Sequence, residues 1–383
     1  MKKLIFVTTV AQSMCFFQGQ LKFLSAYYDI TFVTSNEDNP HEMQERACAD
    51  GVPYYEIPMS REISLGKDFR SLVHFLRYFA KVKPDAVHGN TPKGALLSML
   101  AAKLTGVRTR IYMCHGLRYQ GASGRKRKLL MAMEKLTCWC ATHVLCVSQG
   151  VRDTLAVDAL CSPQKSRVIG NGSCNGIDMD LFNPDAYSDA RKAALRARYG
   201  IAPGQFVFVS VGRIVKDKGV NEMIHAYLRC RREHPDVRLL MLGTFEDRLN
   251  PVDAEVAALI KGNREGVVYC GEQRDVKPFL AASQCLLLPS YREGFGLVLM
   301  EAGAMGLPVV SSDIIGCKTV VTHDNGLLVP PRDSESLYQA MKSMVEDKPL
   351  YARFVARTRH SIGERFQQKM LWNQYLTFYR SVI

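Results

Sequence analysis

Residues Pro289 to Gly303 read PSYREGFGLVLMEAG, and this stretch decides the fold. An apolar run, Cys285 to Leu288, precedes it and has the character of a strand buried in a parallel sheet. Pro289-Ser290-Tyr291-Arg292 reads as a loop and Glu293-Gly294-Phe295-Gly296 as a tight, glycine-hinged turn. A helix is expected from Leu297, with Glu301 on its second turn. Such a strand–loop–helix unit exposes backbone N–H groups and a positive dipole end, which suit a phosphate. Glu293 and Glu301 can each accept hydrogen bonds from hydroxyl groups of one elongated ligand. Taken alone, the stretch also fits an ordinary βα turn flanked by solvated glutamates.

Working outward, the same alternation fills the chain. Strands are expected at Lys3–Thr8, Ile30–Thr34, Tyr54–Ile57, Ala86–His88, Thr109–Met113 and His143–Val147. Helices are expected at Gln20–Tyr28, Asp68–Val82, Gly94–Thr105 and Arg125–Cys140. Ser166 to Phe182, SRVIGNGSCNGIDMDLF, is dense in glycine and asparagine and marks a boundary. The pattern then restarts with strands at Phe206–Val211, Arg238–Leu242 and Val267–Cys270, followed by Cys285–Leu288 and Pro308–Ser312. Helices at Glu335–Glu346 and Pro349–Tyr379 close the chain. Repeated βα units predict an α/β protein with two doubly wound parallel sheets, whose ligands bind beyond the carboxyl ends of the strands. Three segments are expected: 1–180, 181–360 and a final helical segment 361–383, which the family resemblance given below implies crosses back to the first domain.

The 383 residues suffice for two cores, and no apolar run approaches the ~18 residues needed to span a bilayer. The opening MKKLIFV has the charge of a signal peptide, but Gln12 and Ser13 arrive too early, so a first strand is expected instead. The twelve cysteines show no paired CxxC spacing and are read as reduced, buried thiols of a cytoplasmic protein. A net charge of +13 calls for an anionic partner: nucleic acid, anionic lipid or a nucleotide phosphate.

Several loops at strand ends carry chemistry. Gly212-Arg213-Ile214-Val215-Lys216-Asp217-Lys218-Gly219 brackets a turn with two cations that suit a diphosphate, especially one gaining charge as it leaves. It is not a Walker A loop, because the Gly-x4-Gly-Lys-Ser/Thr order is missing. Gly19 follows the first strand and permits close backbone approach. Asn90-Thr91-Pro92-Lys93-Gly94 and His115-Gly116-Leu117-Arg118 follow two others.

Glu293-x7-Glu301, with Gly294-Phe295-Gly296 inside it, resembles the signature of retaining glycosyltransferases of family 4, and the resemblance extends over essentially the whole chain. It implies the GT-B fold, two Rossmann-like domains facing across a central cleft. It implies an enzyme that moves a hexose or N-acetylhexosamine from a nucleotide-diphosphate sugar, UDP being the expected nucleotide. In the implied site Arg213 and Lys218 hold the diphosphate beside Gly212, backbone groups from Gly294, Phe295, Gly296 and Leu297 add to it, Glu293 meets the sugar and Glu301 the ribose. His115, Arg213, Lys218 and Glu293 are the implied catalytic set, with Gly19 and His115 supplied by the first domain. The family's front-face mechanism lets the leaving phosphate take the acceptor proton. Neither cation loop has an Asp-x-Asp motif, so no metal and no cofactor are expected. Asn175-Gly176-Ile177-Asp178, preceded by Gly170-Asn171-Gly172-Ser173, is similar to a sub-branch that builds lipid-linked glycans, such as capsule or O-antigen precursors on undecaprenyl diphosphate.

Arg125-Lys126-Arg127-Lys128 opens a helix that also carries Leu129, Leu130, Met133 and Leu136. The helix at 68–82 adds Arg70, Arg77 and Lys81, with Lys83 beyond it, among Leu72, Phe75, Leu76 and Phe79. A basic face beside apolar residues suits an anionic membrane surface, here the inner face of the plasma membrane. Two ordinary solvated helices fit as well. No nucleic-acid motif is present, and no nucleic-acid partner is expected. Two other readings remain open: a nucleotide-sugar epimerase on the same fold, exposed by turnover without an acceptor, and a non-catalytic module for anionic lipid.

Overall fold

The computed structural model describes residues 1–36, 49–246 and 250–383. They form two compact units, residues 1–176 with 368–383, and residues 177–367. The first holds a seven-stranded sheet of β1 (Lys3–Val10), β2 (Asp29–Ser35), β3 (Tyr54–Glu56), β4 (Ala86–Asn90), β5 (Thr109–Cys114), β6 (His143–Cys146) and β7 (Ser166–Arg167). Its order is β3-β2-β1-β4-β5-β6-β7. The second holds β8 (Phe206–Val211), β9 (Val237–Leu242), β10 (Val267–Gly271), β11 (Cys285–Leu288), β12 (Val309–Ser312) and β13 (Gly326–Val329), in the order β10-β9-β8-β11-β12-β13. Every strand pair is parallel. The apolar runs follow from this: β4 and β11 are central, covered on both faces, and buried at every position.

The two sheets share one winding. Each grows outward from its first strand, β1 or β8, then crosses back to begin the other half at β4 or β11. The crevice at such a reversal is where open α/β sheets bind ligands. It falls in the first unit between the ends of β1 and β4, and in the second between those of β8 and β11.

The boundaries differ from the sequence expectation. The first unit ends at Gly176 rather than 180, and the chain returns to it at Gln368 rather than 361. The expected Pro349–Tyr379 helix is two, Lys348–Phe366 and Gln368–Val382, because Gln367 leaves helical geometry (φ −53°, ψ 129°) to bridge Ile177. The last helix belongs to the first unit by contact. Trp372 Nε1 donates to Asn175 Oδ1 at 2.7 Å, Tyr375 donates to the Ser173 carbonyl at 3.0 Å, and Tyr379 meets His88 Nδ1 at 2.7 Å. The glycine-rich boundary is thus a docking seat for that helix. A Cβ on Gly170 would lie 2.3 Å from Gln374 Oε1.

Candidate functional site

In the second unit the switch point is held by close backbone packing. Gly219 is left-handed (φ +67°), and a Cβ there would sit 2.0 Å from the Pro289 carbonyl oxygen. The turn Lys216–Lys218 therefore lies directly on the end of β11, where Tyr291 N donates to Asp217 O at 2.8 Å and Arg292 pairs with Asp217 at 2.8 Å. Gly316 makes a similar approach from the other side, with Glu293 O 2.5 Å from its hypothetical Cβ. Lys218 and Glu293 come together between these contacts. Lys218 Nζ lies 2.5 Å from Glu293 Oε1, and Ser290 Oγ, fully buried, donates to the same oxygen at 2.8 Å. The Lys218 chain passes Gly212, its Cε 4.0 Å from where a Cβ would stand. Both charged side chains remain partly open, at 25% and 15% exposure.

The helix Leu297–Ala304 begins where the sequence placed it, capped by Gly296 in left-handed geometry (φ 74°). Its first intrahelical bond reaches Leu299, so the Leu297 and Val298 amides precede the helical ladder. Glu301 sits in this helix. Burial raises its carboxyl to about 7 against the pull of Lys277, and it accepts no hydrogen bond among the described residues. A half-buried acid without a partner among the described residues is a place where a ligand donor is wanted.

The ring of Phe295 is core, 5% exposed and set edge-on to Phe366 at 5.4 Å, which leaves the backbone contact expected of it. One expected contact takes another form. Arg213 does not share the Lys218 cluster; it is exposed and paired with Glu246.

In the first unit Gly19 caps a short helix at φ 78°, but its N–H already donates to Asp50 Oδ1 at 2.9 Å, and Trp372 covers its Cα face, 2.8 Å from a hypothetical Cβ. On that face it packs against the last helix. His115 lies beyond β5, 3.3 Å from Asn90 Oδ1, stacked on Phe16 at 5.0 Å, and burial lowers its pKa to about 4. The ring is therefore neutral at pH 7. The sequence reading passed over Ser290, Gly219 and Gly316, whose roles are visible only as close approaches between segments distant in sequence.

The one Asp-x-Asp triplet, Asp178-Met179-Asp180, is spent on a turn: Asp178 Oδ1 accepts from the Asp180 and Leu181 amides at 2.9 and 3.1 Å. Among the described residues Glu233, His234 and Glu346 could reach one cation, their ligand atoms lying within 4.8 Å. Glu233 and His234 immediately precede β9 and Glu346 ends the helix Ser334–Glu346, and Lys342 already lies 2.6 Å from Glu233 and 3.8 Å from Glu346.

Arg125 to Lys128 are all exposed on the helix Gly124–Cys140, with Leu129, Leu136 and Trp139 at 50, 39 and 60%. In the helix Leu65–Val82, Phe75 and Phe79 are core, so the apolar surface it exposes is Leu65 and Phe69. No helix among the described residues is long and apolar enough to cross a membrane.

Comparison with known proteins places this geometry. Residues 191–361 match the model for group 1 glycosyl transferases, and residues 23–172 match that of the glycosyl transferase 4-like domain. The chain is 29% identical, over all of its length and 98% of the relative's, to the capsular polysaccharide biosynthesis glycosyltransferase CapM of Staphylococcus aureus. It is 28% identical, over 79% of its own length and 77% of the relative's, to an Escherichia coli UDP-Gal:α-D-GlcNAc-diphosphoundecaprenol α-1,3-galactosyltransferase. The crystal structure of Anabaena HepE with UDP-glucose superimposes with a TM-score of 0.82 at 19% identity, covering both chains entirely, and is alike in fold. With glycosyl transferase models matching both of its doubly wound units, the chain belongs to the family 4 glycosyltransferases of GT-B fold.

Proposed function

We propose that this glycosyltransferase moves a hexose or N-acetylhexosamine from a UDP-sugar to a lipid-linked saccharide, with retention of anomeric configuration. The observation that carries this reading is the Lys218–Glu293–Ser290 cluster at the β8/β11 switch point, next to the start of the Leu297–Ala304 helix. Lys218, joined by Arg213 once a donor draws it from Glu246, stabilises the leaving diphosphate. Glu293 holds Lys218 in place and accepts from sugar hydroxyls; Glu301 accepts from the ribose. His115 assists at the transferred sugar. In the step itself the bond from C1 to the diphosphate oxygen breaks, a new bond from C1 to the acceptor oxygen forms, and the acceptor proton passes to the departing phosphate. UDP-glucose in the HepE crystal and diphosphoundecaprenol in the name of the E. coli relative support the substrate classes. The exposed cations Arg125, Lys126, Arg127 and Lys128, beside Leu129, Leu136 and Trp139, support peripheral contact with an anionic membrane on the cytoplasmic side.

The test is a donor panel. UDP- and GDP-sugars are incubated with a polyprenyl-diphosphate-linked acceptor in the presence of EDTA, and free nucleotide and extended product are scored. One UDP-sugar is expected to give extended product. Donor isomerised without acceptor would favour an epimerase. No donor consumed, with Glu293→Ala binding donors as wild type does, would sink the catalytic reading.

A further inference from the structure

The first unit contains a hydrogen-bond relay that the motifs did not announce. Asn90 ends β4 and is fully buried. Its Nδ2 donates to the His88 carbonyl at 3.1 Å, which sets the amide's direction, because the flipped amide would bring two oxygens together. Oδ1 then faces His115 Nε2, 3.3 Å away. A carboxamide oxygen only accepts, so Nε2 must carry the proton. In a neutral imidazole this leaves Nδ1 as the bare acceptor. Phe16 stacks on the ring (5.0 Å, 27°) and Phe17 meets it edge-on (6.1 Å, 77°), restraining rotation. Nδ1 makes no hydrogen bond among the described residues, and His115 is only half-buried.

The end of β4 is itself held under strain. Thr91 has φ +61°, uncommon for a β-branched residue. Thr9 fastens it there: Thr9 N donates to Thr91 Oγ1 at 2.9 Å, the two hydroxyls meet at 2.7 Å, and Gly94 N donates to Thr9 Oγ1 at 2.9 Å. Asn90 is thereby presented to His115 by fixed backbone on both sides of the β1/β4 switch point.

We propose that Asn90 is a positioning residue that selects the Nε2–H tautomer of His115, so that Nδ1 offers its lone pair to a hydroxyl of the transferred sugar. The sugar half of this rests on the function proposed above; the tautomer half does not. The direction of the bond is fixed as a result. The hydroxyl donates to Nδ1, and a deoxy sugar at that position leaves a poorly solvated nitrogen unpaired.

The experiment is ¹⁵N NMR of the ligand-free protein labelled at histidine, with His115→Gln identifying the His115 signals among nine histidines, and transfer kinetics on the same samples. Wild type is expected to show Nε2 protonated and Nδ1 bare. Asn90→Ala is expected to show a tautomer mixture and a kcat lower by roughly tenfold, the scale of one lost hydrogen bond. A protonated Nδ1 in wild type, or an unchanged tautomer in Asn90→Ala, overturns the proposal. If Asn90→Ala fails to fold, the wild-type spectrum alone decides. Wild type inert toward every donor overturns the sugar half, an outcome the ligand-free spectrum separates from a wrong tautomer.

Discussion

At the end of β11 the working groups are charged and partly open: Lys218 and Glu293 share an ion pair at 2.5 Å, and Asp217 with Arg292 makes a second pair beside it. Beyond β1, β4 and β5 they are neutral and packed: Asn90 is fully buried, His115 is held uncharged between aromatic rings, and the Cα face of Gly19 lies against Trp372. The winding is the same in both units, so the fold does not set this difference. Under the function proposed above it follows from what each edge would bind. A leaving diphosphate rewards mobile, exchangeable cations, whereas a neutral sugar rewards directional hydrogen bonds in a site with little water.

Four measurements test the contrast. The largest effect is expected from Lys218→Met, which removes charge stabilisation from the leaving group and should lower kcat/KM by about 10²–10³-fold. Glu293→Gln should lose less, and the double variant little more than Lys218→Met alone, because the two act as one unit. Additive losses would break the picture of a coupled charged edge. Next is Gly219→Ala, which places a Cβ 2.0 Å from Pro289 O at φ +67°. It should cost about 2 kcal/mol or more in denaturant unfolding and also misplace Lys218. Gly19→Ala, clashing with the edge of Trp372, should cost about 1–2 kcal/mol while leaving nucleotide affinity unchanged, as expected if Gly19 serves only packing. A selective loss of donor binding would instead return Gly19 to the donor site.

The smallest effect concerns Glu301, whose carboxyl is raised to about 7 by burial. The ionised form is the better acceptor for ribose hydroxyls, so donor affinity should rise several-fold from pH 6 to pH 8 and be flat in Glu301→Gln. For stability the sign is opposite. The folded state keeps its proton up to about pH 7 while the unfolded chain releases it near 4.5. The contribution is therefore present below about pH 4.5 and lost as pH rises to 7. Calorimetry of both forms across that range checks it.

The charged edge was the legible one. Cations and carboxylates between glycines at a strand end, as in Gly212–Gly219 and Glu293–Gly296, are visible as spacing alone. The neutral edge was not. Asn90 is visible along the chain only as part of a strand-end loop that could face a cleft, and nothing local marks Trp372 as a neighbour of Gly19, because their meaning lies in contacts across 25 residues to His115 and across more than 350 to the last helix. The same limit holds for the ring of Phe295, whose edge-on packing against Phe366 no local pattern marks. It also explains the break at Gln367, where pairing with Ile177 overrides a helical run that sequence periodicity would continue.

The sequence by itself determined the alternation of strand and helix, the two sheets, and the loops that end β8 and β11, because burial of apolar runs and the demands of glycine turns are local and periodic. Only the tertiary structure decided which of those loops meet and how. Lys218 is bound to Glu293 and Arg213 to Glu246, Gly19 packs against Trp372, and His115 lies within hydrogen-bond reach of Asn90. Such pairings rest on close approaches between remote segments, as where Gly219 lies so near Pro289 that a Cβ would fall 2.0 Å from its carbonyl oxygen, and no pattern along the chain encodes such distances.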